Sequence, residues 1–183
     1  MSTRTTSDQN DPFIESRDQL AAPMARGEKP SDRWRIGTEH EKFVYRTADK
    51  RAPSYDEPGG IRDLLMALTR YGWEPIMEGD NVIALGGSDG TVSLEPAGQL
   101  ELSGAPLENL HQTCAETGRH LKQVKAIGEK TGKGFLGMGL WPDKARTDLP
   151  IMPKGRYDIM LRHMPRVGSM GLDMMLRTCT IQV

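Results

Sequence analysis

The sequence has 183 residues, with 24 Lys and Arg against 25 Asp and Glu and a formal net charge of −1. That balance gives no electrostatic basis for a nucleic-acid or anionic-membrane partner, and no apolar run approaches the 18 residues of a spanning helix. With no signal-like apolar segment and two distant cysteines, Cys114 and Cys179, the expectation is a soluble chain of the reducing cytoplasm.

Met1 to Asn10 is rich in Ser, Thr, Asp and Asn and is predicted to be disordered. A helix is predicted over Asp11–Leu20, with Pro12 in its first turn and Phe13, Leu20 and Met24 packing inward. Residues 1–33 therefore read as a flexible segment with one short helix, and 34–183 as the principal domain. Trp34 to Arg46 is the first major strand. Within it Glu39 and Glu41 share a face, while Ile36, His40 and Val44 look the other way. At roughly 5 to 7 Å and an effective dielectric near 20, two such carboxylates repel by about 2–3 kcal/mol. Water screens that repulsion on an exposed strand, and a bound cation reverses it; the motif by itself fits either.

After a turn-rich stretch from Pro53, a helix is predicted over Ile61–Tyr71, with residues 61, 64, 65 and 68 forming a core stripe and Gly72 ending it. A meander follows: Trp73–Ile76, Asn81–Leu85, Thr91–Glu95 and Gln99–Ser103. Gly86–Gly90 has the glycines of a phosphate loop but neither its Lys-Ser/Thr ending nor a following helix, so it reads as a hairpin turn. Pro96-Ala97-Gly98 turns the last hairpin. Ser93 and Glu95 share a face on one arm, and Gln99, Glu101 and Ser103 on the other, with Leu94, Leu100 and Leu102 behind them. Set in one sheet, the two stretches converge Glu39, Glu41, Glu95 and Glu101, with no compensating base in either motif. An all-oxygen set of this kind favours magnesium or manganese over zinc.

Leu107–Lys130 is the longest predicted helix, burying Leu107, Leu110, Cys114, Leu121, Val124 and Ile127, with His111 and His120 toward solvent. Gly134–Leu140 reads as a short buried strand, and Pro153–Met160 opens a short helix ending at Pro165. Arg156 near that helix start is out of place as a cap, because a helix N-terminus prefers negative charge. A guanidinium there either points to solvent or clamps a ligand carboxylate through paired hydrogen bonds. Met174–Val183 alternates like a strand, with Arg177, Cys179, Ile181 and Val183 on one face. Because this alternation is cut short, the chain reads as the N-terminal part of a longer protein, with an open edge prone to self-association.

Three separated motifs, Gly37–Phe43, Ser93–Ser103 and Met174–Thr180, resemble glutamate–cysteine ligases of the plant and proteobacterial type, and the likeness runs from about Trp34 onward. The resemblance implies an α+β fold with a curved antiparallel sheet and flanking helices, as in glutamine-synthetase-like ligases, incomplete here. It implies ATP-dependent joining of glutamate to cysteine, with Mg2+ on Glu39, Glu41, Glu95 and Glu101 and glutamate held by Arg156. Arg177, beside Thr178, is a candidate for substrate or phosphate contact, and a structural salt bridge fits it equally; Gln99 and Ser103 are candidates for support around the site. Two other readings stay open: a catalytically incomplete metal- or amino-acid-binding piece, and a related ligase with a different amine acceptor.

Overall fold

The structure is a computed structural model that describes residues 13–88 and 90–183. The expectations for Met1 to Asn10 and for Pro12 lie outside the described residues. Among the described residues the architecture is α+β, with five α-helices and an open antiparallel sheet.

Helix α1, Arg17–Arg26, begins later than the predicted helix. Ser16 caps it, accepting from the Gln19 N–H while the Gln19 side chain accepts from the Ser16 N–H. That capping box sets the start in place of the proline. Phe13, Leu20 and Met24, expected to pack inward, are 92, 61 and 80 % exposed.

Strand β1, Glu39–Arg46, also starts later than predicted; Ile36 forms an isolated bridge with Leu107. Helix α2, Ile61–Leu68, buries the predicted Ile61, Leu64, Leu65 and Leu68, and its last turn closes on Gly72 at φ 88°. The meander is present as β2 (Glu74–Glu78), β3 (Asn81–Gly87), β4 (Gly90–Leu94) and β5 (Leu100–Ser103). β3 and β4 pair antiparallel with Gly86 opposite Thr91 and Gly87 opposite Gly90, which fits the hairpin reading, and Gly98, at φ 83°, closes the β4–β5 turn by donating to the Glu95 carbonyl.

Helix α3 runs Leu110–Thr131 under an Asn109 cap and stops at left-handed Gly132, before the edge strand β6, Lys133–Leu136. Its buried side differs from the predicted stripe. Glu116, His120, Val124, Ile127 and Gly128 face inward, whereas Leu110 is 72 % exposed and Leu121 and Cys114 are also exposed. Val124 and Ile127 fix the stripe, and helical spacing then carries His120 and Glu116 into the interior with them. Glu116 answers a backbone need there, accepting from the Ala105 N–H at 2.8 Å. The predicted buried strand at Gly134–Leu140 is shorter and shallower than expected. Pairing with β1 ends at Leu136, Leu140 keeps an isolated bridge to Thr178, and Met138 and Leu140 are nearly half exposed.

Helices α4 (Gly155–Val167) and α5 (Gly171–Arg177) precede β7, which is only Ile181–Gln182. The predicted Met174–Val183 strand is thus helix over Met174–Arg177 and strand only at Ile181–Gln182. Met and Leu are strong helix formers, and Asp173 pairs with Arg177 one turn on at 3.1 Å, so the 3.6 period wins over the apparent alternation. The sheet order is β2-β3-β4-β5-β1-β6, with β7 also on β1. β5 lies along one edge of β1, and β6 and β7 divide the other. Val92, Leu94, Leu100 and Leu102 join α2 and α3 residues in a single core, and Phe43 meets Trp141 with ring centroids 4.6 Å apart.

His120 is a buried polar residue of this core with a pH-dependent cost. It is 2 % exposed, and among the described residues neither ring nitrogen has a hydrogen-bond partner. Burial, with the charges of Lys42 and His40 nearby, holds its pKa down to about 3. The unfolded chain therefore takes up this proton first, so stability is full above pH 6.5 and is lost as pH falls toward 3. His120→Leu is expected to shrink the stability difference between pH 8 and pH 5 by about 2 kcal/mol, as read by thermal denaturation at both pH values.

Candidate active site

The polar face of the sheet is built by register. Glu41 lies directly opposite Glu101, and Ser93 opposite Glu101 on the other side, so the three side chains share a face. Glu95 follows β4 at the hairpin turn. One carboxylate oxygen from each of Glu41, Glu95 and Glu101 lies within 4.8 Å of the other two. Glu39 stands further along the same strand face, opposite Ser103, outside that trio, and its charge helps raise the pKa of Glu41.

Each carboxylate has its own support. Ser103 Oγ donates to one Glu101 oxygen at 2.6 Å and Ser93 Oγ to the other at 3.1 Å. Thr180 donates its N–H and its hydroxyl to the two Glu41 oxygens, at 2.8 and 3.1 Å. Glu95 lies 3.5 Å from Arg156 Nη2. Burial, aided by the adjacent Glu101 charge, pushes the Glu95 carboxyl up to about 7, and burial likewise raises Glu41. Two half-buried acids raised in this way beside a third carboxylate make a group that a divalent cation would relieve.

The expectation that no base compensates these acids is corrected. Lys42 and Lys154 are 6 and 3 % exposed, and burial pushes both down to about 8 while nearby glutamates oppose the shift. Their ammonium groups donate to backbone, Lys42 to the His40 carbonyl and Lys154 to that of Leu94. Their charge thus acts on the cluster without capturing a carboxylate oxygen. Neither lysine announces itself in the sequence, because burial of Lys154 depends on α4 docking beside the hairpin. Ser93 was legible, since it alternates in phase with Glu95; Thr180 was hidden by reading its segment as a longer strand.

Arg156 sits in the first turn of α4, and its guanidinium lies 5.0 Å over the Tyr157 ring. Tyr157 is buried and donates to the Leu94 carbonyl at 2.6 Å, which ties α4 to the strand leading into Glu95. Gln99 spends its carboxamide on backbone, accepting from Ala97 and donating to Leu176 and Thr178 carbonyls. Arg177 pairs with Asp173, and the Thr178 hydroxyl donates to the Met174 carbonyl, so both groups serve the end of α5. A cleft of about 460 Å³ opens beside β1, where Glu41, Lys42, Phe135, Cys179 and Thr180 contribute to its walls.

The model of glutamate-cysteine ligase family 2 matches residues 35–183. A chloroplastic glutamate–cysteine ligase of Brassica juncea is 57 % identical over 169 residues, covering 92 % of this chain and 32 % of that protein. Glutamate–cysteine ligase A, chloroplastic, of Oryza sativa subsp. japonica is 56 % identical over 92 % of this chain and 34 % of its own length. The chloroplastic enzyme of Arabidopsis thaliana is 56 % identical over 92 % and 32 %. The chain spans about a third of the length of these relatives. Their names overturn the cytoplasmic expectation: unpaired cysteines point to a reducing compartment, and the cytoplasm is not the sole one. Among the described residues no helix is long and apolar enough to cross a membrane. With two of the motifs on one sheet face and the third running from α5 to Thr180 beside Glu41, and the family model covering residues 35–183, this protein belongs to glutamate-cysteine ligase family 2.

Proposed function

We propose that this chain carries the metal- and glutamate-binding face of an ATP-dependent glutamate–cysteine ligase, the enzyme of the first step of glutathione synthesis. The observation that carries this reading is the trio Glu41, Glu95 and Glu101 with Arg156 at its rim. A carboxylate is a poor electrophile, so the γ-carboxylate oxygen of glutamate first attacks the terminal phosphorus of ATP and ADP leaves. The cysteine amine then attacks the γ-glutamyl phosphate carbon, phosphate departs, and the nitrogen loses a proton. Three clustered carboxylates, of which burial raises Glu41 and Glu95, are a donor set suited to Mg2+, with Glu39 adding charge alongside. Bound there, Mg2+ supplies charge neutralisation for phosphoryl transfer.

The chain's own residues do the placing. Ser93, Ser103 and Thr180 aim the carboxylates, and Lys42 and Lys154 moderate their repulsion. Arg156 offers a planar fork to a glutamate carboxylate. We assign Arg177 and Thr178 to holding α5, and Gln99 to supporting the Glu95 turn. The open sheet with its acid-bearing face supports a glutamine-synthetase-like ligase fold. The test is phosphate release by the full-length protein with ATP and glutamate, with and without cysteine, and mass analysis of the product. Cysteine-dependent release with γ-glutamylcysteine formed is expected; release that follows another amine and ignores cysteine would move the protein to a different acceptor class.

A further inference from the structure

We infer that Thr180 is the positioning residue for Glu41, and that the segment from Leu176 to Gln182 is a strap setting the spacing of the metal-binding carboxylates. The inference rests on the metal reading above. Glu41 and Thr180 lie 139 residues apart in sequence and are joined three times. The Glu41 N–H donates to the Thr180 carbonyl at 3.1 Å, and Thr180 returns its own N–H and its hydroxyl to the two carboxylate oxygens. Gln182 Nε2 donates to Thr180 Oγ1 at 3.0 Å, which leaves the hydroxyl proton directed at Glu41. Both oxygens are held, and each retains lone-pair capacity for a cation.

The same strap is tied to the hairpin that carries the other two acids. Gln99 Nε2 donates to the Leu176 and Thr178 carbonyls at 3.4 and 2.9 Å, while its oxygen accepts from Ala97 in the turn after Glu95. Glu101 is fixed from within the sheet by its two serines. Glu41 depends on the strap, and mutual repulsion among three acids drives its side chain outward once the clamp is loosened.

The test uses Mn2+ as probe on the full-length chain without nucleotide, with binding read from the electron paramagnetic resonance signal of the free ion. Thr180→Val removes the hydroxyl at near-constant volume and is expected to weaken Mn2+ binding about five- to tenfold, whereas Thr180→Ser stays within about twofold of the parent. Parental affinity in Thr180→Val, or equal loss in Thr180→Ser, would overturn the strap. Should Thr180→Val fail to fold, Gln182→Leu carries the test: a loss of about two- to threefold supports the inference, and parental binding overturns it. Glu41→Gln separates the two levels. If it leaves Mn2+ binding intact, the metal reading fails and the inference with it; if it abolishes binding while Thr180→Val does not, the strap alone fails.

Discussion

Replacing Glu101 with Gln is expected to lower ligase turnover by about two to three decades while leaving the melting temperature unchanged or slightly higher. Glu101 is the most buried of the three clustered carboxylates, at 3 % exposure, and both of its oxygens are already oriented by serine hydroxyls. The amide keeps the volume and removes one negative charge from the group that would hold the ion. Loss of about 3–4 kcal/mol of charge stabilisation in the transition state accounts for that range of kcat. Folding responds in the opposite sense, because a neutral residue relieves the repulsion that raises Glu95. The measurement is kcat at saturating substrates and Mg2+, paired with a thermal melt. Turnover that persists within a few-fold would remove Glu101 from the site, and a deep fall in melting temperature would assign it a structural role instead.

Arg156→Lys is expected to raise the KM for glutamate roughly ten- to a hundredfold, equivalent to about 1–3 kcal/mol, with little effect on the melting temperature. The guanidinium is oriented by stacking on Tyr157 and by donating to its hydroxyl at 3.1 Å, and the phenol is held protonated because burial raises its pKa. Lysine keeps the charge but has neither the flat face for that stack nor two parallel donors for a carboxylate. The contact of Arg156 with Glu95, at 3.5 Å, is longer than a good charge-assisted bond. Steady-state kinetics with glutamate varied at fixed ATP and cysteine decides the matter. An unchanged KM with unchanged turnover would exclude Arg156 from glutamate recognition.

The period-two signal around Glu39–Glu41 and Glu95–Glu101 was strong enough to place acids on one sheet face and leucines on the other, because the face is set by pleat alone. It was not strong enough to say that Glu95 and Glu101 meet Glu41 rather than Glu39, which depends on the register of β1 against β5. Helix α2 was legible because four apolar residues fall on one stripe and Gly72 stops it. Helix α3 misled, since Leu110, Cys114 and Leu121 lie on a rival stripe that tertiary packing leaves outside in favour of a polar pair, Glu116 and His120. The Met174–Val183 stretch supports both a helical and an alternating pattern; helix takes Met174–Arg177 through the Asp173–Arg177 pair and burial of Met175 and Leu176, and strand keeps only Ile181–Gln182. Lys154 could not be found from sequence at all, because nothing local distinguishes a buried lysine at a helix cap from a solvated one.

The division of β1 between early and late partners has a consequence for synthesis of the chain. The β2–β5 meander is joined by short turns and can pair as it is made, whereas β1, made before it, waits for β5, then β6, and last for Thr180. At translation rates of about 5–20 residues per second, that wait is on the order of ten seconds. During it β1 presents both an unpaired edge and the apolar run Phe43-Val44. Glu39, Glu41 and Lys42 flank that run with charge on the nascent strand, the arrangement that discourages edge-to-edge association before the native partners arrive. Glu41, later one of the clustered carboxylates, thus joins Glu39 in the first seconds of the protein's life as a charge that discourages aggregation of the nascent strand.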